Sequence, residues 1–251
     1  MKHTMNINQL ATAQFVMVER IYAFAKEQGL SNETLSHELG INGDTIEAIP
    51  DGIYSAERYQ SASKRILWVL KEPYDEITES GIPCGGGWCI YEAFDKEDAW
   101  RGQTWKPMIY ASYGILHGIH YQDMDWIRDD PSMAEVLKDI AYINISKMPG
   151  FTISNDADIQ KYYNLWRPIL LEQIQLYQPQ VIIFGNTFKY FKQDLIGDET
   201  QPFQSLSTAN GGIYQNNYHM GDAILIDAYH PNQKVVRREE YVEGVIKMCI
   251  S

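Results

Sequence analysis

Four short apolar runs constrain this chain more than any other feature: Ile66-Leu67-Trp68-Val69-Leu70, Ile140-Ala141-Tyr142-Ile143, Val181-Ile182-Ile183-Phe184 and Ala223-Ile224-Leu225-Ile226. Each is rich in residues that favour strands. Each is also apolar without a break, whereas a strand with one wet face would alternate. Unbroken runs fit strands buried on both faces, as in a parallel sheet covered by helices. Segments with helical character separate them, over residues 104–118, 156–177, 186–195 and 234–248. In the second of these, Ile159, Tyr163, Trp166, Leu170 and Ile174 share one face, and Pro168 is expected to kink the helix. Before the last strand, Asn210-Gly211-Gly212 suggests a tight turn into an antiparallel edge segment. The expected fold is α/β: a three-layer α/β/α sandwich with a central four-stranded, mostly parallel sheet, preceded by an N-terminal helical segment.

That first segment, residues 1–53, reads as helical and is expected to pack on the α/β domain of residues 54–251. Phe15, Val18, Ile21, Tyr22 and Ala25 recur at helical spacing, Gly29 ends the helix, and Ser31 is placed to cap a second. Residues 34–46 loosely resemble a helix-turn-helix. The would-be reading helix carries Asp44 and Glu47 and no Lys or Arg, so it would repel phosphates, and a plain helical hairpin is the better reading. The formal net charge of −12 also counts against a strong grip on nucleic acid through phosphates, although a local basic face can oppose the total. No run approaches the roughly 18 apolar residues of a membrane helix. The first residues lack the apolar core of a signal peptide, and three cysteines are too few for a disulfide framework, so a cytoplasmic monomer without membrane contact is expected.

In open α/β sheets, ligands bind outside the carboxyl ends of the strands. Lys71-Glu72-Pro73-Tyr74 follows the first run, Asn144-Ile145-Ser146-Lys147-Met148-Pro149 the second, Gly185-Asn186-Thr187 the third and Tyr229-His230-Pro231-Asn232 the fourth. A carboxylate, an amide, a helix start and an imidazole would thus gather at one sheet edge. Singly, each is an ordinary turn or loop residue; together, at equivalent places, they mark a candidate site. His117 and His120 are spaced like metal ligands on a helix, but no acidic or cysteine partner has complementary spacing, and no metal is expected.

From about residue 64 onward the chain resembles the uracil-DNA glycosylase superfamily. Lys71-Glu72-Pro73-Tyr74 is similar to that fold's water-activating motif, and Tyr142-Ile143-Asn144-Ile145-Ser146-Lys147-Met148-Pro149 to its base-reading segment. Pro179-Gln180-Val181-Ile182-Ile183-Phe184-Gly185-Asn186-Thr187 resembles its third-strand segment, and Tyr229-His230-Pro231-Asn232 its closing motif. The four occur in the family's order. Glu72 stands where Asp is commoner, Asn232 where Ser is usual, and Lys234 near where some members place a wedging Leu. The cysteine pattern of the iron–sulfur branch is absent, so no cluster or other cofactor is expected.

The resemblance implies hydrolysis of the N-glycosidic bond of uracil or another deaminated base in DNA. Glu72 and His230 would be catalytic, the first orienting water and stabilising a cationic sugar, the second holding charge on the departing base. Tyr74, Asn144, Trp88, Lys147 and Asn232 would bind substrate, with Asn144 reading the base edge and Tyr74 excluding a methyl group. Trp88 would wall the base, with Phe94 and Trp105 as alternatives, and Gly85-Gly86-Gly87 would either admit a ligand or form a flexible loop. Two other readings stay open. One is an altered member that binds a free base, nucleoside or nucleotide; the other is a non-enzymatic interaction protein using its N-terminal helices.

Overall fold

The computed structural model describes residues 5–31, 46–96, 98–208 and 211–250. In chain order its elements begin with α1 (Ile7–Glu27), β1 (Gly52–Ile53), α2 (Ala56–Ser61) and β2 (Ile66–Leu70). A small hairpin follows, β3 (Glu76–Ile77) and β4 (Pro83–Cys84), then α3 (Trp105–His117), β5 (Ala141–Asn144) and α4 (Asp156–Tyr177). The chain continues through β6 (Val181–Gly185), α5 (Phe188–Leu195), β7 (Gln204–Ser207), β8 (Ile213–Met220), β9 (Ala223–Ala228) and α6 (Arg238–Ile250).

The four apolar runs become β2, β5, β6 and β9, and they pair in parallel in the order β5-β2-β6-β9. Among the described residues the sheet has seven strands rather than four, because β1 adds to one edge and β8 and β7 to the other, all antiparallel. These additions have no apolar signature. β1 is only two residues long, β7 reads Gln-Ser-Leu-Ser and lies largely exposed at the rim, and β8 carries Gln215, Asn216 and Asn217.

Alternation along the parallel strands divides their side chains between two cores. Leu67, Val69, Ile143, Ile182 and Phe184 face α1, α4 and α5, meeting Ile21, Trp166, Leu170 and Phe191. Trp68, Leu70, Tyr142 and Ile183 face α3 and α6, meeting Ile109, Tyr241 and Val245. Trp68 is fully buried and donates from its indole nitrogen to Ser112 Oγ at 3.0 Å, tying β2 to α3.

Several expectations are corrected. Residues 46–53 are extended, not helical, and they supply the edge strand β1. On α1 the buried face is Leu10, Gln14, Met17, Val18, Ile21 and Ala25, whereas Phe15 is 66% exposed. α4 runs unbroken through Pro168, which sits on its exposed side. α5 starts at Phe188 rather than residue 186, because Asn186 adopts a left-handed φ of 61°. α6 starts at Arg238, because the side chain of Gln233 first accepts from the backbone N–H groups of Val235 and Val236 and holds a turn there. The turn into β8 is present, with Thr208 N–H donating to the Gly212 carbonyl at 2.9 Å; Asn210 lies outside the described residues. So does the resemblance to a helix-turn-helix, apart from Ile46. Among the described residues no helix is long and apolar enough to cross a membrane.

Candidate functional site

The register sets the carboxyl ends of the parallel strands level: Leu70 pairs with Asn144, and Gly185 with Ala228. Beyond that line the loops after β2 and β5 continue the ladder, Ser146 N–H donating to the Lys71 carbonyl at 2.9 Å and Gly150 N–H to the Pro73 carbonyl at 2.8 Å. Gly185 is where the loop after β9 comes closest. A Cβ there would press on the end of the Leu70 side chain and meet Pro231 Cδ at 3.0 Å, so glycine leaves room for the His-Pro turn over β2.

These loops enclose a cavity of about 450 Å³, within the range of ligand clefts. Glu72, Tyr74, Trp88, His230 and Asn232 all line it, so the structure brings together five of the seven residues singled out in the sequence. Lys71, Trp105, Tyr142, Phe151 and Ser154 complete the lining used below.

Glu72 is partly buried. Desolvation pushes its carboxyl above the usual carboxylate range, opposed by a hydrogen bond from Ser154 and the nearby Lys71. Its carboxylate packs against Gly150, where a Cβ would lie 2.5 Å from both Cδ and Oε2 of Glu72. Gly150→Ala is therefore expected to displace Glu72, costing about 1–3 kcal/mol as an overpacked site. A urea midpoint and a ligand titration on the same sample would check both consequences.

His230 has the opposite electrostatics. Burial and the positive charge of Lys71 lower its pKa to about 4, so the imidazole is neutral at neutral pH. Its Nδ1 accepts from the backbone N–H of Asn232 at 3.2 Å, which leaves the ring proton on Nε2 as a donor. Lys71 is in turn held by Asp156 at 3.0 Å, and Lys189 binds the same carboxylate at 2.5 Å. The Asn232 side chain accepts from Lys234 at 3.1 Å.

The aromatic wall is shared. Trp88 is anchored through its indole N–H to Asp75 Oδ2 at 2.8 Å, while Trp105 lies 5.3 Å from the Tyr142 ring. Phe94 is buried behind Trp105, edge-on at 5.1 Å. Gly85, Gly86 and Gly87 all have positive φ, between 76° and 94°. They pack against the segment before β1 and are held there: a Cβ on Gly86 would strike the Glu47 backbone, and Glu47 N–H and Gly87 N–H bond across to Gly85 and Ala48 carbonyls.

Two predicted binding residues fall elsewhere. Lys147 is fully buried, and its ammonium lies 2.7 and 2.8 Å from the two oxygens of Asp51 and 2.7 Å from the Asn144 carbonyl. Desolvation lowers its pKa, with Asp51 opposing. It is a core ion pair, not a substrate contact, because its side chain turns inward under the loop. Asn144 is likewise 0% exposed and does not line the cavity. Its Oδ1 accepts from the Tyr142 hydroxyl at 3.1 Å, and its Nδ2 is buried without a partner. His120 pairs with Glu243 at 2.9 Å, and His117 lies against the Tyr113 ring.

Fold and cavity together define an α/β protein with a cleft at the carboxyl edge of the parallel strands of a mixed sheet. No known protein family matches the chain, and no curated protein does. Its activity is therefore inferred from the chemistry of this cleft.

Proposed function

We propose that the cavity receives a nucleobase and that the protein hydrolyses the N-glycosidic bond of uracil or another deaminated base in DNA, as members of the uracil-DNA glycosylase superfamily do. The observation that carries this reading is the meeting of Glu72 and a neutral His230 in one cleft, on loops that follow two parallel strands. In such a reaction the C1′–N bond breaks with its electron pair leaving on the base, a water oxygen bonds to C1′, and the proton that water loses would pass to Glu72 and return through solvent to the base anion. Ionised Glu72 would orient that water and stabilise the cationic sugar, while His230 Nε2–H would donate to the base oxygen that gathers charge. Tyr74 at the mouth, 53% exposed, and the Trp88–Trp105 wall would flank the base.

The test is release of uracil from single- and double-stranded oligonucleotides by the full chain. Failure of release by folded protein, beside an active control glycosylase, would refute the reaction. A second reading, binding of a free base or nucleotide without cleavage, is favoured by Asn144, which lies behind the cavity lining. Ligands that bind only the native state raise apparent stability, so a panel of bases and nucleotides in thermal denaturation addresses it.

A pH profile follows from the two groups. The reaction needs Glu72 ionised, and its pKa is raised, so kcat/KM is expected to rise with pH through a value above the ordinary glutamate range. His230 gains a proton only near about 4 and adds no further limb at higher pH. A flat profile from pH 4 to 8 would remove Glu72 from the rate-determining chemistry.

A further inference from the structure

Tyr142 and Asn144 form a pair on one face of β5, two residues apart, and only Tyr142 reaches the cavity. The Tyr142 ring is fixed by Trp105 at 5.3 Å and Phe94 at 6.5 Å. Its hydroxyl donates to Asn144 Oδ1 at 3.1 Å, and burial raises the phenol's pKa, so the proton stays on oxygen. Asn144 is a costly residue at this place: it is 0% exposed and its Nδ2 has no partner, a burial that an apolar side chain would avoid. Among the described residues, the one hydrogen bond its side chain makes is to Tyr142.

A phenol has a single proton and spare lone pairs. We propose that Asn144 is a positioning residue that accepts the Tyr142 hydroxyl hydrogen bond, and that the Tyr142 oxygen is thereby an obligate acceptor selecting ligands with a ring N–H. This gives the base-binding reading, on which it rests, a basis for choosing among bases. Deamination turns the acceptor ring nitrogen of cytosine into the N–H of uracil, and that of adenine into the N–H of hypoxanthine. An acceptor with no proton to give bonds the deaminated member of each pair and sets lone pair against lone pair with the parent. Sites built around one such hydrogen bond reject ligands lacking it, because a buried polar group is left unpaired.

The experiment is equilibrium titration of the full chain with free uracil, 3-methyluracil and cytosine, comparing wild type with Tyr142→Phe and Asn144→Leu, each first shown to fold by thermal denaturation. Wild type is expected to prefer uracil by about tenfold over both analogues, the worth of one hydrogen bond. Tyr142→Phe should bring uracil and 3-methyluracil to within about threefold of each other. Asn144→Leu frees the hydroxyl to donate and should shift preference toward cytosine, a change that loss of packing alone would not produce. Uracil selectivity that survives in Tyr142→Phe, or a wild type that prefers cytosine, overturns this inference and leaves base binding standing. If none of the three ligands binds, the base-binding reading falls and takes the inference with it.

Discussion

Asp51→Ala is expected to lose about 3–5 kcal/mol of stability, because it strands a buried ammonium. Asp51 is 0% exposed and accepts from Lys147, from the Asn144 backbone N–H at 2.7 Å and from Gln173 Nε2 at 2.9 Å. Without it Lys147 keeps only the Asn144 carbonyl. Set against the roughly 5–15 kcal/mol that hold a typical domain together, such a loss would leave the chain partly unfolded at 37 °C. The loss should also reach the cavity, since the segment that anchors Lys147 leads directly into Pro149 and Gly150, against which Glu72 packs. The double change Asp51→Leu, Lys147→Met should recover much of the loss, because apolar replacement of a whole buried pair is often neutral or better. Urea denaturation of the two variants beside the wild type decides the matter; a loss below about 1 kcal/mol in Asp51→Ala would show that water or a shifted Lys147 relieves the charge. The same contacts predict that removal of residues 1–53 unfolds the remainder, since it strips β1 from the sheet edge and takes Asp51 with it.

The sheet was legible where burial on both faces forced an unbroken apolar run, as in β2, β5, β6 and β9. It was illegible in β1, β7 and β8, which gain their place from pairing with a neighbour rather than from hydrophobicity. The rule that ligands gather at strand carboxyl ends pointed to Glu72, Tyr74, His230 and Asn232, and these line one cavity. Position in the chain does not say which way a side chain turns. Asn144 and Lys147 sit at the right strand end yet point into the protein, Lys147 drawn there by Asp51 from 96 residues away and Asn144 by Tyr142 from 2. Asp51 itself could not be foreseen, because a single carboxylate in a segment read as helical carries no sign that its partner will be Lys147. Lys71 also lines the cavity, and its signal in the sequence is a lysine immediately after a buried strand, beside a carboxylate. Phe151 and Ser154 lie beyond Pro149 in the loop that follows β5, where no motif marks them.

The largest expected effects belong to Glu72 and His230. Glu72→Gln keeps the shape of the side chain and removes the charge, so it should reduce single-turnover release of uracil by about 10²–10⁴, the usual worth of a positioned acid–base group. His230→Ala should reduce it by about 10²–10³, the usual cost of one donor to a developing anion. Both losses should fall on the chemical step rather than on KM, because the positive sugar and the negative base exist only in the transition state. In the proposed reaction the two groups would serve one breaking bond, so the double variant is expected to lose less than the product of the single losses. His230 offers a finer test. Its donor is on Nε2 only because the backbone N–H of Asn232 occupies Nδ1, and Asn232→Pro deletes that N–H while sparing the imidazole. Release by Asn232→Pro should therefore fall toward the His230→Ala level, although every ring atom remains. If Asn232→Pro releases uracil at the wild-type rate, the tautomer is not what His230 contributes, and its effect must come from packing beside Lys71 instead.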